Sequence, residues 1–194
     1  MKQIKSLAFV VAVVFSVSLS MYLSTPVKSF PAVDRGSDGS FITGYKGWTR
    51  VNREPQNIPS RIAIQCAMPT REQLSWEEQN PHRDKFVVVY VNSIGRHAMM
   101  EQKWPRFPVG SVIVKEKLST KESTSPELLT VMKKREAGYD PQKGDWEYFV
   151  FDGTGREVKA SGKLEKCQGC HLDEKHTDYV SRRYIPYDTW EKMK

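Results

Sequence analysis

The chain has 194 residues, 39% hydrophobic and 11% aromatic, which suffices for one packed domain with terminal extensions. Its 30 Lys and Arg residues against 23 Asp and Glu give a net charge of +7, so the surface favours acidic partners. No basic run is interleaved with aromatics as a nucleic-acid face would be, and nucleic acid is not an expected partner.

Residues 1–24 read as an export signal. Lys2 and Lys5 form a positive start, Leu7 to Leu19 is an apolar stretch, and Ser18, Ser20 and Ser24 offer small residues for cleavage. The stretch is short for a membrane span, and no clean Ala-x-Ala site follows it, so an uncleaved N-terminal anchor is the alternative. Residues 25–44, with Pro26, Pro31, Gly36, Gly39 and Gly44, read as a flexible leader, and ordered structure is expected from Tyr45 onward. Cys66, in the apolar run Ile62 to Met68, is expected to be a buried structural thiol.

Pro69 to Asn80 and Ile94 to Lys103 are the helix candidates in the first half of the chain. Phe86 to Val91 is a β-branched and aromatic run, hence a strand, and Ser111 to Lys117 follows a Pro108-Val109-Gly110 turn as another. Leu128 to Met132 fits either a strand or a short helix. Asp145 to Asp152 is a strand between turns, with Arg156 to Ala160 able to pair back as a hairpin. Short strands without a regular βα alternation imply an α+β fold, an antiparallel sheet with helices packed on it. The stretch from Cys167 to Arg183 is expected to begin a further helix.

That last stretch opens with Cys167-Gln168-Gly169-Cys170-His171. Two thiols spaced by two residues at the start of a helix can reach the two vinyl groups on one edge of a haem. The residue after the second thiol then lies under the iron, where imidazole is the natural ligand. Only three Cys and four His occur in the chain, and three of these seven fall in this pentapeptide. A redox-active CxxC pair or half of a zinc site is the competing explanation. The first lacks a βαβ context, and the second would need further ligands when Cys66 is the only other thiol. The motif therefore predicts covalently bound haem c near the C-terminus, with Cys167 and Cys170 as thioethers and His171 as the iron ligand. A sixth ligand would have to come from Met99, Met100, Met132, His97 or His176, none of which has a distinctive context. His176, five residues after His171, is badly placed to reach the opposite haem face.

With these strands and a late CxxCH motif, the chain resembles the cytochrome P-460 family, including the related cytochromes c-prime-beta. The resemblance runs from about Tyr45 to Pro186 through Tyr45 and Trp48, FPVGSVIVKEK (107–117), GDWEYFVFD (144–152), KCQGCH (166–171) and TDYV (177–180), followed by Arg183, Tyr184 and Pro186. It implies a haem c domain over residues 45–194, often dimeric, with five-coordinate iron ligated by the proximal histidine. In the P-460 enzymes a strand lysine is bonded to the porphyrin edge, and hydroxylamine is oxidised to nitrogen oxides; Lys115 in Val114-Lys115-Glu116 is the matching position. The c-prime-beta relatives lack the bond and bind small gases such as nitric oxide.

Alternation puts Ile113 and Lys115 on one face of their strand and Val112, Val114 and Glu116 on the other. Taken alone, this also allows Lys115 and Lys117 to be solvent-facing lysines. Trp146 and Tyr148 share one face of the later strand and Phe149 and Phe151 the other, so one set should border the haem. Three functions follow: periplasmic oxidation of hydroxylamine or a similar small nitrogen compound, with electrons passed to a soluble, acidic carrier; binding of a small gas without turnover; or electron transfer with a sixth ligand. Glu116 is a poor choice of proton acceptor for the first, because it faces away from Lys115.

Overall fold

The computed structural model describes residues 39–58, 70–78, 80 and 83–193. Cys66 and the export segment lie outside these residues. The strands are Thr49–Arg50 (β1), Gln56–Asn57 (β2), Phe86–Val91 (β3), Val112–Leu118 (β4), Leu128–Lys134 (β5), Trp146–Asp152 (β6) and Val158–Gly162 (β7). The helices are Arg71–Glu78 (α1), Ser93–Met100 (α2), Glu165–His171 (α3) and Tyr187–Trp190 (α4).

The described strands form one sheet in the order β1-β3-β4-β5-β6-β7, with β2 also pairing with β3, and every pair is antiparallel. The expected α+β architecture is therefore present. Leu128 to Met132, open between strand and helix in the sequence, is strand: β5 is hydrogen-bonded on both sides and buries Leu129 and Val131. Tertiary pairing decides such a run because its local preference is weak.

Asn92 shows how one residue joins three elements. Its side chain accepts from the Gly95 amide at 3.0 Å, capping α2, and from the Val112 amide at 3.1 Å at the start of β4. Its amide group donates to the Gly110 carbonyl at 2.9 Å.

The sheet has two apolar faces, and the alternation of each strand sorts its residues between them. One cluster joins Val112, Val114, Leu129, Val131, Phe149 and Phe151 with Ile42 and Tyr45. The other joins Val87, Val89, Val91, Ile113, Met132, Trp146 and Tyr148 with α2, Tyr179, Val180 and Tyr184, and Cys167 packs against it. The expected division of Trp146 and Tyr148 from Phe149 and Phe151 holds.

Two boundaries differ from the sequence reading. Ser40–Ile42 is a turn of 3-10 helix with Ile42 buried, and Phe41 packs its ring 4.9 Å from that of Phe149. Packing on the sheet thus begins before Tyr45, at residues that Gly and Ser content alone marks as leader. The helix at the CxxCH motif stops at His171 and continues as 3-10 helix over Leu172–Thr177. Asp178 and Tyr179 then turn it aside with φ of 56° and 64°.

Candidate functional site

The motif residues all lie on α3, which follows β7 directly. Leu164, just before α3, packs with Cys167 on the cluster containing Tyr148 and Tyr184. Between the thiols, Gln168 is buried and donates to Asp140 Oδ2 at 2.7 Å, which ties α3 to the loop before β6. Cys167 and Cys170 are both half-buried and are not joined in a disulfide.

His171 is oriented by the chain itself. Its Nδ1 lies 2.6 Å from the Tyr179 carbonyl oxygen. A carbonyl can only accept, so Nδ1 carries the hydrogen and Nε2 presents the lone pair. This is the tautomer and restraint that a metal-ligating histidine needs.

The sheet face toward α3 carries three polar side chains that an ordinary apolar core would lack. Lys115 is half-buried, donates from Nζ to Tyr184 Oη at 2.8 Å and lies 4.7 Å from the centre of that ring. Lys117, on the same face, is completely buried. The burial pushes its ammonium well below its ordinary pKa, against a smaller upward pull from Cys167. Neither lysine belongs to an open solvent face, which removes that reading of the Val-Lys-Glu-Lys run. The third group is Tyr148, whose ring centre is 5.4 Å from that of His171 and whose buried hydroxyl has no hydrogen-bond partner among the described residues. Burial, with Cys167 as the next cause, pushes its phenol upward. The Cys167 thiol is itself raised, by burial first and Cys170 second, while Lys115 and Lys117 draw it down.

An orphaned buried hydroxyl costs roughly 1–3 kcal/mol, so its place beside two thiols and an oriented imidazole fits a prosthetic group seated against them. The donor set fits haem better than the alternatives. Among the described residues no three His, Cys, Asp or Glu side chains converge as a metal site would need. No parallel strand pair is present among them to give CxxC a βαβ setting.

Glu116 lies on the opposite face, buried, where its carboxylate accepts from Tyr45 Oη at 2.6 Å and lies 3.6 Å from Lys46 Nζ. The structure thus keeps it from the motif, as alternation implies. Among the other candidates, His97 is exposed and bonded to Glu101, and with Met100 it lines a separate open cleft of about 530 Å³. His176 is exposed with its ring against Trp104. Met99 and Met132 are buried in the cluster that Cys167 joins.

Several residues of the site escape sequence reasoning. Tyr184 has no signal beyond its place in a motif. Lys134 has one, because alternation along β5 places it with Met132 and Thr130 on the α3 side.

An antiparallel sheet with a CxxCH helix docked on one face, and buried polar groups gathered around its thiols, is the arrangement that a haem protein of the cytochrome class would need. The family model for cytochrome P460 matches residues 42–182, and the chain belongs to that family. A search of curated proteins returned no match.

Proposed function

We propose that Cys167 and Cys170 bind haem c through thioether bonds, that His171 Nε2 ligates the iron, and that the protein is exported to oxidise hydroxylamine or a similar small nitrogen compound. When bound, the haem supplies an iron with an open position for the nitrogen compound and a route for its electrons. The observation that carries the reading is Lys115, half-buried on the face that Cys167 packs against, as a lysine bonded to the porphyrin edge requires.

The chain's own groups have separable parts in this reading. Tyr179 O fixes the imidazole of His171. Ile113, Met132 and Trp146 provide an apolar wall that limits water. Tyr184 holds the Lys115 amine through a hydrogen bond. That bond also favours a second reading. A lysine engaged by Tyr184 instead of bonded to the porphyrin edge would leave a gas-binding protein without turnover.

Intact mass and the visible spectrum of purified protein separate the two. On the first reading, a bond between Lys115 and the porphyrin would give a ferrous Soret band far to the red and a tryptic peptide joining the Lys115 region to residues 167–171. Lys115→Arg should then retain attached haem, lose the red-shifted band and drop hydroxylamine oxidation to background. An ordinary high-spin haem c spectrum without the joined peptide selects gas binding, and a low-spin spectrum selects electron transfer with a ligand such as Met132.

A further inference from the structure

The segment Thr177-Asp178-Tyr179-Val180 enters the reading so far only through the Tyr179 carbonyl, yet it holds two consecutive non-glycine residues of positive φ beside the site. Asp178 and Tyr179 are consecutive non-glycine residues in the left-handed region, with φ of 56° and 64°. Asp tolerates this conformation, whereas a bulky tyrosine avoids it unless its surroundings impose it.

The surroundings are explicit. Lys134 Nζ donates to both carboxylate oxygens of Asp178, at 2.9 and 2.8 Å, and also to the Gly144 carbonyl at 2.8 Å. The Phe107 amide donates to Asp178 Oδ2 at 2.8 Å. The fully buried indole of Trp146 donates to the Asp178 backbone carbonyl at 2.7 Å. Tyr179 is anchored at its far end, where its hydroxyl donates to the Gln142 carbonyl at 2.9 Å. The salt bridge is nearly buried, with side-chain exposures of 12% for Lys134 and 8% for Asp178.

What this framework delivers is one atom. The left-handed pair turns the Tyr179 carbonyl back onto His171 Nδ1, eight residues earlier, at 2.6 Å. Without the turn, the 3-10 helix would carry the chain past the imidazole. We infer that the Lys134–Asp178–Trp146 assembly is a positioning device for the axial ligand: it holds the Tyr179 carbonyl against Nδ1–H and so sets how strongly His171 donates to iron.

The inference rests on His171 being the haem ligand. Its physical content is that a short hydrogen bond to Nδ1–H gives the ring imidazolate character, which strengthens the bond from Nε2 and stabilises the ferric state. Loosening the turn weakens both effects.

The test uses the full-length holoprotein. A pyridine haemochrome assay and intact mass of the wild type first establish attached haem c; if neither shows it, the reading of the site fails before the inference is reached. Asp178→Asn keeps an acceptor for the Phe107 amide but removes the charge paired with Lys134. Attached haem should be retained while the ferrous iron–histidine stretching band moves to lower frequency and the reduction potential rises. Lys134→Arg in the otherwise wild-type chain, which preserves the pairing, should keep both values near those of the wild type. If Asp178→Asn yields no folded holoprotein, Trp146→Phe removes the indole donor while keeping an aromatic ring in the same buried place, and is read by the same band. An unchanged band and potential in a folded variant would overturn the inference, because a purely structural salt bridge would alter stability alone.

Discussion

Single residues carry the clearest electrostatic consequences. Asp152, where β6 turns toward β7, accepts from the Thr154 hydroxyl at 2.6 Å and from the Arg156 and Glu157 amides at 3.0 Å each. These bonds, the Thr154 hydroxyl foremost, bring its carboxyl down from 3.8 to about 2. A carboxyl with a lowered pKa in the folded state contributes stability above its ordinary value and loses it as the pH falls toward the folded value. Asp152→Asn should therefore destabilise the protein near neutrality and reduce the additional loss between about pH 4 and pH 2, followed by urea midpoints across that range. Legibility at this scale was uneven. The motif Cys167, Cys170 and His171 stands out by its fixed spacing alone, and the structure places all three residues on α3. Alternation put Lys115 on the face where the structure places it. Its half-buried state and its bond to Tyr184 depend on a segment 69 residues away, which no local pattern reports.

At the scale of elements, β4 is the informative case. Strand period predicts two faces, and the two clusters obey it. Periodicity cannot say that both faces are covered, since a strand with charged residues at every second position ordinarily shows one side to water. Here Lys117 and Glu116 are both buried, on opposite sides of one strand. The helix expected to begin in the stretch from Cys167 is present as α3, but its end is not legible: the run onward has ordinary helical residues, and the turn at Asp178 is held by Lys134, Phe107 and Trp146 from other elements. Gly144 belongs to the same construction. Its φ is +71°, and a Cβ there would collide with the Tyr179 ring. Gly144→Ala should cost about 1–3 kcal/mol from the left-handed backbone and the displaced ring together, measured as a shift in denaturation midpoint.

For the whole molecule, charge and architecture point in separate directions. The net charge of the whole sequence is +7, and among the described residues the ion pairs are mostly exposed and contribute little to stability. Its use lies in encounters. If electrons leave to a soluble acidic carrier, stopped-flow rates of transfer should fall several-fold between about 0.01 and 0.15 M salt, as screening shortens the reach of the field; a flat profile would exclude such a carrier.

The two-faced core has a consequence for how the protein is made. No member of the cluster around Phe149, Phe151 and Leu129 takes part in the site around Cys167. That half packs from the sheet and the residues before β1, whereas the other side gathers the polar groups of Lys115, Lys117 and Tyr148 on the face that Cys167 packs against. If haem c is attached at Cys167 and Cys170 as proposed, the sheet would serve as its own template: the apolar wall on one side would hold the thiols and the imidazole in register on the other during attachment.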